Sequence, residues 1–136
     1  VEDTSERLTP EQQHAFRRDI GKLMWVLPER PDLSYIVREL ARKVGSPTEK
    51  DQGRLKRVLR YIKGTQDLEL YLSVTDANPN EVIGHVDASW ASGLDRRSVS
   101  GGAIWLQGCL LQHWSRTQAT IAQSTCEAEL AALNSG

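Results

Sequence analysis

Apolar residues recur at helical spacing through the first half of the chain and at strand spacing through the second. Phe16, Ile20, Leu23, Met24 and Leu27 fall on one face of a helix. Thr9-Pro10-Glu11-Gln12 opens it, with Thr9 as N-cap, Pro10 in the first turn and Gln12 reaching back as in a capping box. Pro28 cannot continue a helix, so this one is expected to end near Leu27. Leu33, Ile36, Val37, Leu40, Ala41 and Val44 form a second stripe. Asp32 is its expected cap and Gly45 the left-handed residue past its end. Ser46-Pro47-Thr48-Glu49 reads as another capping box. It opens a third helix with the stripe Leu55, Val58, Leu59 and Ile62, closed by Gly64. Residues 1–8 are polar and expected to fray.

After Gly64 the period shortens. Leu68, Leu70 and Leu72 alternate with polar residues and predict a strand. Asp76-Ala77-Asn78-Pro79-Asn80 is turn chemistry. Strands are expected over Val82–Val86, Gly101–Leu106 and Leu110–Ser115, with Gly108 at the hairpin between the last two. Ser124 or Thr125 caps a final helix whose Leu130 and Leu133 are expected to face the core. The α-helical and β-rich halves divide near residues 73–81.

Composition narrows the class. With 136 residues, 26% charged and 39% hydrophobic, the chain has the make-up of a soluble globular protein. No apolar run approaches the roughly 18 residues of a membrane span, and no signal peptide is expected. The first residue is Val, and both ends look cut from a longer reading frame. Cys109 and Cys126 make no disulfide framework; reduced thiols fit an intracellular protein. His14, His85 and His113 lack zinc-ligand spacing. The net charge is −1, but its distribution is uneven. Lys50 to Gly64 holds six Lys or Arg against one acid, Asp51, while from Val74 onward acids outnumber Lys and Arg six to three. A basic helix beside an acidic site suits a nucleic-acid enzyme; a solvated helix face explains the same charges more plainly.

The acids in question are Asp87, at the end of an apolar run, and Glu127 and Glu129, at the start of the last helix. Acids on neighbouring elements around one core are how two-metal nucleases hold hard cations. Glu127 and Glu129 stand about 200° apart on a helix, so both cannot point into one site. Either also serves as a first-turn acid favoured by the helix dipole.

Four blocks in order then carry a resemblance. They are FRRDIGKLMWVLPERPDLSY (16–35), SPTEKDQGRLKRVLRYIKGT (46–65), HVDASWASGLDRRSVSGG (85–102) and HWSRTQATIAQSTCEAEL (113–130). Together they resemble the Pol polyprotein of copia-type LTR retrotransposons, over nearly the whole chain. The resemblance implies an α+β or α/β chain. Residues 1–73 would be thumb and connection helices ending a reverse transcriptase. Residues 82–136 would be the first part of a ribonuclease H-like domain, a three-stranded antiparallel meander plus a helix. The parent activity would be metal-dependent hydrolysis of RNA in RNA–DNA hybrids, with Mg²⁺ as cofactor.

In that resemblance Asp87 matches the first metal-binding aspartate and Glu129, before Glu127, the helix carboxylate. Ser89 stands where the family usually has a second Asp. Further aspartates would follow Gly136, so this stretch alone is expected to be inactive. Arg54, Lys56, Arg57, Arg60 and Lys63, with Tyr61, would grip duplex phosphates without reading sequence. Arg116 and Gln118, with Arg96 and Arg97, would touch the hybrid backbone from loops. Trp25, Trp90, Trp105 and Trp114 are read as core residues more readily than as base-stacking platforms, Trp105 and Trp114 in particular because they lie in strand patterns. The partners implied are nucleic acid and the remainder of the polyprotein, in a cytoplasmic virus-like particle or the nucleus, with no membrane. Two other readings compete: a non-enzymatic nucleic-acid-binding remnant using the basic helix 47–63, and a decayed product without function.

Overall fold

A computed structural model describes residues 5–72, 74, 81–92 and 95–134. The fold is α+β: α1 (Pro10–Val26), α2 (Ser34–Ala41), α3 (Glu49–Gly64), β1 (Val82–Ser89), β2 (Val99–Leu106), β3 (Cys109–Thr117) and α4 (Thr125–Leu133). The chain forms two compact units, Val1–Leu70 and Tyr71–Gly136.

The first unit is built as its sequence reads, with local corrections. Thr9 and Gln12 exchange hydrogen bonds with each other's backbone at the start of α1. Phe16, Ile20, Leu23 and Leu27 are buried, joined by Leu33, Val37, Leu40, Leu55 and Val58. Met24 and Leu59, expected in these stripes, are exposed. Each sits at the margin of its helix's apolar arc, where α1 and α3 turn toward solvent. Glu6–Leu8 does not fray. Leu8 N–H donates to the Pro47 carbonyl and Glu49 N–H to the Glu6 carbonyl, which buries Leu8.

Asp32 caps nothing. A single 3₁₀ turn, Pro31–Leu33, precedes α2, and Leu33 is the N-cap without a side-chain bond. The Asp32 carboxylate is taken instead by a two-pronged hydrogen bond from Arg30, at 3.0 and 2.8 Å. The Arg30 guanidinium also donates to the Thr65 carbonyl and hydroxyl and lies 5.7 Å from the Tyr61 ring centre. This one side chain ties the α1–α2 turn to the end of α3. The cap of α3 is Thr48 with Asp51, not Ser46 with Glu49: Thr48 N–H and hydroxyl donate to Asp51, which is buried. α2 ends at Ala41 and leaves by turns, and Gly45 takes no positive φ. Leu68, Leu70 and Leu72 are exposed and belong to no strand, because their backbone finds no partner ladder among the described residues. The expected turn at residues 76–80 lies outside the described residues.

In the second unit the sheet order is β1-β2-β3, antiparallel throughout. Gln107 (φ 53°) and Gly108 (φ 82°) form the two-residue hairpin between Leu106 and Cys109; positive φ at both positions gives a turn matched to strand twist. The register shifts between Ile104 and Trp105, which leaves Leu111 as the extra, exposed residue of a bulge. Trp114 is buried and Trp105 half-buried. α4 packs on β1 and β2 through Ala128 and Ala132, both fully buried. Leu130 and Leu133 are exposed, contrary to expectation: they stand about 200° and 140° round the helix from Ala128, away from the face that α4 buries.

Candidate nucleic-acid interface and carboxylate site

α3 separates apolar and basic residues cleanly. Leu55, Val58 and the half-buried Ile62 face the core. At 100° per residue, Arg60 lies opposite that face, with Lys56 and Arg57 about 50° to either side of it and Lys63 about 60° away on the Lys56 side. All four are exposed, as are Arg54 and Tyr61. Arg54, itself exposed, approaches the buried Asp51 at 4.0 Å, at the limit of an ion pair. Acidic Glu49 and Asp51 occupy the first turn and Lys63 the last, which complements the helix dipole. The charge therefore forms one solvent-facing stripe on a rigid helix, a geometry that can follow a phosphate backbone.

In the second unit Asp87 is exposed on β1. It pairs in register with Gly101, and Gly101 with Ser115, so these three share one face of the pleat. Val86, Ala88, Ser100 and Gly102 share the other. Gln118 donates from Nε2 to Ser100 Oγ at 2.9 Å and to the Ala128 carbonyl at 2.8 Å, which ties α4 to Ser100's face. Glu129, half-buried on α4, thus starts from the face opposite Asp87. A shared ion requires both carboxylates to turn to the outer edge of β1, which is unpaired among the described residues.

Glu127 has a different task. Its carboxylate accepts from Gln123 N–H at 2.7 Å while its own N–H donates to Ser124, the N-cap. Glu129 is therefore the acid of α4 left for other work. Gln118 is buried and spends its amide nitrogen inside the fold, so it is a tie between sheet and helix and not a surface contact. Arg116 is exposed and borders a cavity of about 190 Å³ with Ser100, Gln118 and Ala131. That is below the roughly 300 Å³ at which small-molecule sites begin.

Among the described residues no three His, Cys, Asp or Glu side chains come together as a metal site. Both cysteines are free. No helix among the described residues is long and apolar enough to cross a membrane. One feature escaped the sequence reading: Trp25 is 82% exposed. Its signal was present in the periodicity, since Trp25 lies about 180° from Phe16 on α1.

No protein-family model matches the chain, and no solved structure matches it. Sequence relatives do. An uncharacterized mitochondrial protein of Arabidopsis thaliana is 35% identical over 119 residues, 87% of this chain and 49% of its own length. The retrovirus-related Pol polyprotein from transposon RE2 of Arabidopsis thaliana is 35% identical over 115 residues, 84% of this chain and 8% of its own. The chain belongs to the family of retrovirus-related Pol polyproteins from transposons. It spans about half the length of the mitochondrial relative and under a tenth of the Pol polyproteins it matches. A secreted RxLR effector protein of Plasmopara viticola is 36% identical over 117 residues, 85% of this chain and 81% of its own length.

Proposed function

We propose that this Pol segment is a nucleic-acid-binding part of the replication machinery, comprising the end of a reverse transcriptase and the start of a ribonuclease H domain. The observation that carries the reading is the match to named Pol polyproteins across 84% of the chain. The exposed cations of α3 support it, because they can neutralise phosphates of a template–primer or hybrid duplex without reading sequence. The meander followed by α4 supports the second half of the assignment.

Asp87 and Glu129 are the carboxylates assigned to Mg²⁺. Mg²⁺ prefers near-octahedral oxygen ligation and keeps several waters, so two acids on adjoining elements can hold one ion weakly. Among the described residues no third ligand joins them to make the two-ion arrangement that hydrolysis of a phosphodiester uses. No hydrolytic step is therefore assigned to this chain, and the further ligands belong to the remainder of the polyprotein, its natural partner.

A second reading has an observation of its own. The effector-named relative is covered over 81% of its length, so a stretch of this extent makes up most of that protein. In that form the basic helix would bind nucleic acid without catalysis. The deciding assay incubates the 136-residue chain with labelled RNA–DNA hybrid in Mg²⁺ or Mn²⁺. Binding without cleavage is expected. Cleavage abolished by Asp87→Asn would show that two carboxylates suffice; absence of binding would defeat the nucleic-acid reading in both forms.

A further inference from the structure

The exposed face of α1 carries an arrangement that the α3 reading does not use. Trp25 is 82% exposed, an indole held in water with no core role. Full exposure of so large an aromatic is uncommon, and such residues are enriched where partners bind. Its neighbours on the same helical face are Gly21 one turn back, Lys22, and Arg18 two turns back. Arg18 remains 57% exposed although its Nε is engaged by Asp19 at 3.0 Å.

Gly21 is the second signal. A glycine inside an exposed helix weakens it relative to alanine. Gly21 has no internal reason to be there: its φ is not positive, and a Cβ would meet nothing within 4 Å. What it does provide is bare backbone one turn before Trp25, open space for a flat group that lies on the indole.

We infer that this face of α1 docks unpaired bases of a nucleic-acid strand, one base stacked on Trp25 over Gly21, with Arg18 and Lys22 on the flanking phosphates. Charge decides the class of occupant. A flat aromatic with two cations on the turns that precede it matches a base followed by its phosphates, whereas an apolar protein helix would have to cover Lys22 and the exposed part of Arg18. The inference rests on the nucleic-acid reading above and adds single strands to the duplex held by α3.

The test measures anisotropy of a labelled oligothymidylate and of a blunt duplex with the full chain. Trp25→Ala is expected to weaken oligothymidylate binding by roughly 5- to 150-fold, the range for losing one stacked base. Trp25→Phe should retain part of the affinity, and blunt-duplex binding should be unchanged. Gly21→Ala should raise the melting temperature while weakening the single-strand complex. If Trp25→Ala binds oligothymidylate like the wild type while Arg57→Ala/Arg60→Ala loses the duplex, the Trp25 inference is wrong and the α3 reading stands. If the wild type binds neither probe, both fall. If Trp25→Ala instead abolishes a self-association seen by sedimentation, the face is a protein contact and the inference is overturned.

Discussion

Trp114 lies across Gly102, its register partner on β2, and leaves no room there for even a methyl group. The indole covers the strand in place of a side chain and is itself buried under α4's face of the sheet. Gly102→Ala should therefore destabilise the second unit by about 1–3 kcal/mol, the usual cost of overpacking. Urea unfolding followed by near-ultraviolet circular dichroism would measure it. Adding Trp114→Leu to Gly102→Ala should recover part of the loss; a neutral Gly102→Ala would mean the indole does not sit there.

Arg30 holds the Asp32 carboxyl below the usual carboxylate range through its two hydrogen bonds, against the opposing effect of burial. A carboxyl whose folded pKa is depressed stabilises the fold above its unfolded value, about 3.9. That stability is lost as the pH falls through the folded value. The melting temperature should accordingly drop in acid more steeply for the wild type than for Asp32→Asn, and the two curves should converge at the acid end. Parallel curves would mean the pair is not formed in solution.

Thr48 and Asp51 close the start of α3 reciprocally. Thr48→Ala should cost about 1 kcal/mol. Asp51→Ala leaves the Thr48 N–H without its acceptor and should cost about 1–3 kcal/mol. Because the two residues share one network, the double variant should lose less than the sum. Additive losses in denaturant titrations would assign the bonds to separate roles.

The edge of β1 is open among the described residues, and Val82 and Ile83 on it are exposed. No Lys or Pro guards this strand against pairing with another chain. The isolated protein should exchange the outward-pointing amides of β1 rapidly and associate as its concentration rises. Ile83→Lys should suppress the association. Strong protection of every β1 amide in a demonstrated monomer would show that something else covers the edge.

Much of this architecture is legible in the sequence because it is local. Thr9 with Gln12 and Gly108 declare a helix start and a hairpin through chemistry that acts over four residues. The failures are tertiary. Asp32 looks like a cap until Arg30 folds back on it. Leu130 and Leu133 look like core residues, but α4 turns its Ala128–Ala132 face to the sheet. At the candidate site, Asp87 and Glu129 can be picked from pattern, yet which pleat face each leaves depends on a register that only the paired strands define. Gln118 looked like a loop contact because its bonds to Ser100 and Ala128 cross two elements.

The most direct test of nucleic-acid binding through α3 is the salt dependence of duplex affinity for the wild type and Arg57→Ala/Arg60→Ala. Each phosphate contact removed should lower the slope of log K against log salt by about 0.9. The double variant should therefore bind all duplex sequences more weakly, with a slope smaller by about two units. An unchanged slope and affinity would contradict it and leave the basic face of α3 to solubility alone.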